Sequence, residues 1–187
     1  SVLQSRLDKV IDDLQPLIGE SIFGQEDRSV AELFADFFSI RHQTIALAES
    51  CSGGHLSHLI TSIPGSSEYF SGGVVAYSNQ MKQDLLGVSR DDIESYGAVS
   101  RQVVEQMAKG IQKQTGADYS IATSGVAGPG GGSEEKPVGT VWMAWANPEG
   151  QIISKVFRFG KERTRNVVRT SETALIELMQ MMKKGEM

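Results

Sequence analysis

A short apolar run, Thr44 to Ala48, leads directly into small residues that include two serines and the chain's single cysteine. The run predicts a buried strand, and the glycines after it predict a tight turn into a helix. Such a turn places a hydroxyl at the carboxyl end of a strand, beside the free N–H groups of a helix start. This position suits a nucleophile, Ser50, and it also suits a bound anion.

Other roles for these residues stay open on local sequence alone. Serine is a common helix N-cap, so Ser50 or Ser52 could simply cap the helix that follows. Cys51 is a rival nucleophile, because thiols are intrinsically more nucleophilic, but it has no obvious histidine partner. We expect Cys51 to be a small buried residue.

Two further polar residues follow the next predicted strand, at 73–77. Tyr77 closes this strand, and Lys82 lies one turn into the next helix. A neutral lysine can accept a serine proton, although free lysine has a pKa of about 10.4. Burial disfavours the charged form, so a Ser50–Lys82 pair requires a dry site or a second positive charge. Taken alone, Lys82 is more typical of a solvated helix residue.

A glycine-rich loop at 124–133 follows a third predicted strand, at 119–123. It differs from a P-loop, because no Lys-Ser or Lys-Thr follows its last glycine, and it does not open a helix as a dinucleotide fingerprint does. The loop could cradle a phosphate or be a flexible surface loop. Backbone N–H groups in this loop or near Ser50 could stabilise an oxyanion.

Composition excludes several classes of protein. The 187 residues are 40% hydrophobic and 22% charged, which is ordinary for one globular domain with an extra element. A net charge of −5 argues against a general nucleic-acid binder, and no run approaches the roughly 20 apolar residues of a membrane span. A single cysteine suits a reducing compartment. We expect a cytoplasmic protein that binds a small molecule and neither nucleic acid nor membrane.

The three histidines do not form a convincing site. His55 and His58 lie three residues apart, but no second cysteine or carboxylate in register would complete a metal site. His42 precedes the first sheet strand and is poorly placed for a catalytic triad. We expect ordinary helix residues and no metal or other cofactor.

Strands and helices alternate from Thr44 onward, which predicts an α/β fold with helices on both faces of a mixed, mostly parallel sheet. Strands at 138–146 and 151–159 around a turn at 147–150 predict one antiparallel hairpin. Ligands in such sheets bind beyond the carboxyl ends of the strands. The predicted helices of this part cover about 52–62, Asn79 to Gly87, Ser89 to Glu94, Ser100 to beyond Ile111, and 162–184.

Two helices are predicted ahead of the sheet. Ser29 and Glu32 form a capping box that opens a helix ending near Ile40. Before it, an apolar stripe close to a heptad repeat predicts an N-terminal amphipathic helix that Pro16 should stop or kink. The stripe favours packing on the chain's own domain over a dimer contact. Its members are Leu3, Leu7, Val10, Leu14 and Leu17.

Four motifs in order make the chain resemble the CinA C-terminal-domain family, whose characterised members are nicotinamide-nucleotide amidases. The resemblance covers about residue 20 to the end. It implies a three-layer α/β/α domain at 21–187, after a helix or linker at 1–20. It also implies hydrolysis of nicotinamide mononucleotide to nicotinate mononucleotide and ammonia. The motifs are 48–54 (AESCSGG), 64–67 (PGSS), 72–79 (GGVVAYSN) with Lys82, and 125–140 (GVAGPGGGSEEKPVGT).

The resemblance also implies roles for single residues. Ser50 matches the family's nucleophile, Lys82 its base, and Tyr77 an assisting tyrosine that positions Lys82 or relays the proton. A family hydroxyl, usually threonine, matches Ser124. A family arginine matches Arg163, with Arg165 as a rival, and either could face a substrate phosphate. The expected substrate-binding residues are Gly53, Gly54, Ser124, Gly125 and Arg163.

The partners implied by the resemblance are a nucleotide substrate and an N-terminal domain that cleaves pyrophosphate bonds, to which the family is sometimes fused. A homodimer through the first helix is also open. The alternative function is a non-catalytic nucleotide-binding or interaction module of a competence-associated protein. A P-loop-type phosphotransferase is a more distant reading.

Overall fold

The computed structural model of the protein describes residues 2–18 and 27–187. The expected domain boundary between residues 20 and 21 lies outside the described residues. The helices and strands are α1 (Val2–Ile18), α2 (Val30–Ser39), β1 (Ile45–Glu49), α3 (His55–Thr61), β2 (Phe70–Val75), α4 (Asn79–Leu86), α5 (Arg90–Tyr96), α6 (Arg101–Thr115), β3 (Tyr119–Gly125), β4 (Thr140–Ala146), β5 (Ile152–Arg158) and α7 (Arg163–Lys184), with a short 3-10 turn at Ser66–Glu68.

The five strands form one mixed sheet in the order β2-β1-β3-β4-β5. β1 pairs in parallel with both β2 and β3. β3 pairs with β4, and β4 with β5, in antiparallel fashion. Four of these strands therefore run in one direction and β4 runs in the other. The predicted mixed sheet with an antiparallel hairpin at its end is confirmed.

Helices cover both faces of the sheet, so the architecture is the expected three-layer sandwich. The face under α2, α3 and α7 is packed with large side chains such as Phe34, Leu47 and Trp145. The face under α6 is packed with smaller ones, among them Ala46 and Ala122. Successive residues of β1 point to opposite faces of the sheet, which accounts for the fully buried run that the sequence shows.

The connections around β1 create a crevice at its carboxyl end. The chain passes from β1 to β2 through α3 on one face, and from β2 to β3 through α6 on the other. β1 therefore lies between two strands whose connections diverge, which is where ligands bind in open α/β sheets. The residues that follow β1, β2 and β3 meet at this point.

The apolar stripe of α1 is exposed, which corrects the expectation that it packs on its own domain. Leu3 and Leu17 are 72% and 77% exposed, and Leu14 is 39% exposed. Pro16 lies inside the helix, two residues before its end. A dimer contact through this stripe stays a prediction. The capping box of Ser29 and Glu32 at the start of α2 is confirmed.

Two helix starts differ from their predictions. α3 begins at His55, later than expected, because Gly53 and Gly54 have φ of 62° and 94°, outside the right-handed helical region. Its N-cap residue is Gly54, so neither Ser50 nor Ser52 caps it. The N-cap of α4 is Ser78, whose Oγ accepts the N–H of Met81, and the predicted cap, Asn79, is the first helical residue.

Candidate active site

The turn after β1 is tied to the neighbouring strand β3. The N–H of Ser50 donates to the carbonyl of Thr123 over 3.0 Å. The hydroxyls of Ser52 and Thr123 share a hydrogen bond of 2.8 Å. The Ser52 hydroxyl therefore has a partner inside the protein, whereas Ser50 borders a cleft. The structure thus separates two serines that local sequence could not distinguish.

The buried side chain of Glu49 caps the N-terminal end of α3. Its buried carboxylate accepts the N–H groups of Gly54, Leu56 and Ser57 at 2.8–3.1 Å and the Ser57 hydroxyl at 2.5 Å. A carboxylate at this position satisfies the free amides of the helix and complements its dipole. These three amides are therefore not available to an external anion. A glutamate directly after a buried strand was the sequence signal for this cap.

The side-chain amine of Lys82 contacts the hydroxyl of Ser50. Its Nζ lies 3.0 Å from Ser50 Oγ, 2.8 Å from the carbonyl oxygen of Ala76 and 3.5 Å from that of Tyr77. The residue is only 1% exposed, and burial lowers the pKa of its amine below the ordinary value. A neutral amine has two N–H groups and one lone pair. If the two carbonyls accept the N–H groups, the lone pair is left for the Ser50 hydroxyl.

Close packing of α4 against α6 fixes the position of the Lys82 backbone. At Gly110 of α6, a Cβ atom would overlap the carbonyl of Leu86 at the end of α4. Only glycine allows the two helices to approach this closely. Lys82 lies on the buried side of α4, together with Leu86.

Cys51 differs chemically from its neighbour Ser50. Burial raises the pKa of its thiol to about 12, so the reactive thiolate is scarce at neutral pH. Cys51 is 6% exposed and borders the cleft. The environment therefore favours Ser50 as the nucleophile.

A cleft of about 320 Å³ lies in front of Ser50 and Lys82. The turn after β1, the start of α4, the segment before α6, the glycine loop and the start of α7 all contribute to its walls. Its lining residues are Ser50, Cys51, Tyr77, Asn79, Lys82, Ala98, Val99, Ser124, Gly125, Val126, Ala127, Gly128, Gly130, Gly131 and Arg163.

The predicted substrate-binding residues divide into two groups. Ser124 and Gly125 border the cleft, and the buried Ser124 hydroxyl donates to the carbonyl of Ala98 over 2.8 Å. Gly53 and Gly54 shape the turn instead, and the Gly54 N–H is given to Glu49. Binding roles for all four residues stay predictions.

Tyr77 contacts Lys82 with its backbone and Arg163 with its side chain. Its backbone carbonyl faces Lys82, whereas its phenol oxygen accepts a hydrogen bond of 3.0 Å from Nη2 of Arg163. Nη1 of Arg163 donates to the carbonyl of Gly128 over 2.9 Å. Both partners of this guanidinium are neutral, so its charge is available to an anion.

The two arginines proposed for phosphate binding lie in different places. Arg163 borders the cleft. Arg165 forms an ion pair of 3.0 Å with Glu162, and its side chain is 80% exposed. Only Arg163 of this pair is therefore placed to meet a ligand in the cleft.

The histidines lie away from this chemistry. Nδ1 of His55 is 2.9 Å from the hydroxyl of Ser171. Within residues 2–18 and 27–187, no three His, Cys, Asp or Glu side chains group in a way that could hold a metal ion. The same ranges contain no helix long and apolar enough to cross a bilayer.

Comparison with known proteins assigns the family. The family model described as CinA C-terminal domain matches residues 27–182. The chain belongs to this family. The CinA-like protein of Rippkaea orientalis is 43% identical over 164 residues, which cover 88% of this chain and 39% of that protein. The CinA-like protein of Synechocystis sp. is 45% identical over 163 residues, with coverages of 87% and 39%. The chain thus spans about two fifths of these curated relatives.

Solved structures of CinA proteins share the fold. The competence/damage inducible protein CihA from Agrobacterium tumefaciens superposes with a TM-score of 0.79 at 37% identity, covering 84% of this chain and 98% of that one. A CinA superfamily protein from Klebsiella pneumoniae gives a TM-score of 0.80 at 32% identity, with coverages of 84% and 99%. Most of this chain therefore corresponds to a CinA domain that has been solved by itself.

Proposed function

We propose that this chain hydrolyses the amide of nicotinamide mononucleotide to nicotinate mononucleotide and ammonia. The observation that carries the proposal is the 3.0 Å contact between Lys82 Nζ and Ser50 Oγ, with the lysine buried. A hydroxyl in contact with a base of lowered pKa is an activated nucleophile. The substrate is inferred from the family resemblance, and the guanidinium of Arg163, which borders the cleft and contacts two neutral oxygens, suits its phosphate.

In the first step, Ser50 Oγ bonds to the carboxamide carbon, and its proton passes to the neutral amine of Lys82. The carbonyl electron pair moves to oxygen and forms a tetrahedral oxyanion. As this intermediate collapses, Lys82 returns the proton to the amide nitrogen, the C–N bond breaks and ammonia leaves. An acyl ester on Ser50 remains.

In the second step, water attacks the ester carbon and Lys82 takes a proton from it. The C–O bond to Ser50 breaks, and Lys82 returns that proton to Ser50 Oγ. The nicotinate carboxylate leaves, and the solvent receives its proton. The net reaction consumes one water and releases one ammonia.

Backbone amides are the donors proposed for the oxyanion. The N–H groups of Ser50, Gly53 and Gly54 already donate to Thr123, to the Ser50 carbonyl and to Glu49. The candidates in this turn are therefore the amides of Cys51 and Ser52, together with that of Ala127 in the glycine loop, where the Val126 N–H already donates to the carbonyl of Thr140. One such donor is worth about 2.7–4 kcal/mol of transition-state stabilisation.

Ammonia release from nicotinamide mononucleotide tests the proposal, with Ser50→Ala and Ser52→Ala compared in parallel. Ser50→Ala should lower kcat by about 10³-fold or more, as for other nucleophiles, while nucleotide binding persists. Ser52→Ala is the matched control, because its hydroxyl faces Thr123, and it should stay within about threefold of the parent. Retention of most activity by Ser50→Ala would exclude the covalent mechanism.

A nucleotide-binding module is the second candidate. The contacts of Arg163 with two neutral oxygens favour it, because they would support anion binding without any chemistry. Saturable binding of nicotinamide mononucleotide without ammonia release from the parent would support this reading over the amidase. A fused upstream domain and a dimer through α1 are further proposals for the whole protein.

A further inference from the structure

Asn166, in the first turn of α7, holds the glycine loop with its side chain. Asn166 is 1% exposed, and its Nδ2 donates to the carbonyl of Ala127 over 3.0 Å and to that of Gly160 over 2.9 Å. Asn166 itself does not border the cleft, whereas Ala127 and Gly128 do. It therefore touches the far side of the cleft wall.

The side-chain amide of Asn166 serves only as a donor. Its Oδ1 has no hydrogen-bond partner among the described residues. Rotating the amide by half a turn would place this oxygen against two carbonyl oxygens, so the contacts assign its orientation. A buried acceptor without a partner destabilises the fold. Leucine, which is similar in size, would avoid that cost but could not hold the two carbonyls.

Holding the carbonyl of Ala127 also directs the next N–H group. The peptide between Ala127 and Gly128 is trans, so its C=O and N–H point in opposite directions. With the C=O turned towards Asn166, the N–H of Gly128 points away from Asn166, and Gly128 itself borders the cleft. Pro129 has no N–H, so the Gly128 amide is the donor at this corner of the loop.

The backbone by itself does not fix this orientation. Gly128 has φ of 94°, and glycine adopts φ of either sign without steric penalty. The peptide could therefore rotate and present a carbonyl oxygen to the ligand. We propose that Asn166 is a positioning residue that holds the Ala127–Gly128 peptide with the Gly128 N–H towards the cleft, where this N–H and Arg163 bind an anionic group. That this group is the phosphate of a mononucleotide rests on the proposed function.

A direct test follows the amide resonance of Gly128 in nitrogen-labelled protein during titration with inorganic phosphate. In the parent we expect a saturable shift of this resonance. Asn166→Leu should lose the shift, whereas Asn147→Leu, at a buried asparagine in the β4–β5 turn, should keep it. An unshifted Gly128 resonance in the parent overturns the proposal, and this measurement needs no variant. An unchanged shift in a folded Asn166→Leu protein overturns it as well.

Kinetics give a second readout. Asn166→Leu and Asn166→Asp should each raise KM for nicotinamide mononucleotide about tenfold or more, the value of one hydrogen bond to a charged group, with little change in kcat. Asn166→Asp should recover as the pH falls, because a protonated carboxyl can donate to Ala127, and Asn166→Leu should not. Equal loss at every pH would overturn the proposal. If the parent releases no ammonia but the phosphate titration behaves as expected, the proposed amidase fails and the role of Asn166 stands.

Discussion

The cleft has two ends that are built in contrasting ways. At the inner end, Lys82 and Ser50 are nearly inaccessible to solvent, and backbone groups of the sheet region hold them: the carbonyl of Thr123 for Ser50, and those of Ala76 and Tyr77 for Lys82. At the outer end, Tyr77 is 60% exposed, and side chains from distant segments meet it there.

Under the proposed function, this contrast separates catalysis from phosphate recognition. A dry inner end lowers the pKa of the Lys82 amine and so favours its neutral form, which a proton acceptor requires. The open outer end leaves the guanidinium of Arg163 accessible to an anion at little desolvation cost. Substitutions at the inner end should therefore change kcat, and those at the outer end should change KM.

The largest effect is expected from Lys82→Met. The variant removes the proton acceptor, so kcat should fall by about 10²–10⁴-fold. Because Ser50 and Lys82 act as one unit, the double variant with Ser50→Ala should lose no more than the worse single variant. Steady-state ammonia release measures all three proteins. Additive losses would show that the two residues act independently and would contradict the proposed Ser50–Lys82 dyad.

Arg163→Gln should raise KM for nicotinamide mononucleotide by about 10–100-fold, because a charged contact to phosphate is lost. The riboside without phosphate gives the sharpest comparison, since its KM should not respond to this substitution. Arg165→Gln is the control, as Arg165 is exposed and paired with Glu162. An equal loss for riboside and mononucleotide would mean that Arg163 acts through the loop alone.

Tyr77→Phe distinguishes the two ends at a single residue. The backbone carbonyl that faces Lys82 remains, and only the phenol contact with Arg163 is removed. We expect KM to rise by only about two- to tenfold, with kcat nearly unchanged, because this hydrogen bond to a guanidinium is exposed to solvent. The family resemblance instead assigns the tyrosine to the lysine or to proton relay, and a fall in kcat of about 10²-fold would support that role.

The smallest effect concerns stability and pH. Since burial lowers the pKa of Lys82 in the folded state, the unfolded chain binds an extra proton between that pKa and the ordinary value of about 10.4. The free energy of unfolding of the parent, relative to that of Lys82→Met, should therefore rise as the pH increases across this window. The same contribution is lost as the pH falls through the folded pKa. Denaturant titrations at several pH values measure the difference. A flat difference would mean that the inner end is not dry.

Much of the fold could be predicted because its signals are local. The runs at 44–48 and 119–123 predicted the buried strands β1 and β3, and Ser29 with Glu32 predicted the start of α2. The start of α3 was harder to predict from the sequence, because two glycines in the left-handed region end the turn and Glu49 caps the helix. The predicted packing of the α1 stripe was wrong, since a periodic pattern shows which face is apolar and not what covers it.

By itself the sequence determined the alternating α/β order, the three polar strand ends and the residue types that could do chemistry there. Only the tertiary structure decided which of them meet. In the folded chain Lys82 contacts Ser50, 32 positions away in sequence. The hydroxyl of Ser52 bonds to that of Thr123, and Arg163 borders the cleft whereas Arg165 pairs with Glu162. Asn166 belongs to no sequence motif, and its amide donates to the carbonyls of Ala127 and Gly160. The reason is physical: a hydrogen bond depends on where side chains converge in space, and a strand end or helix start specifies only where each one begins.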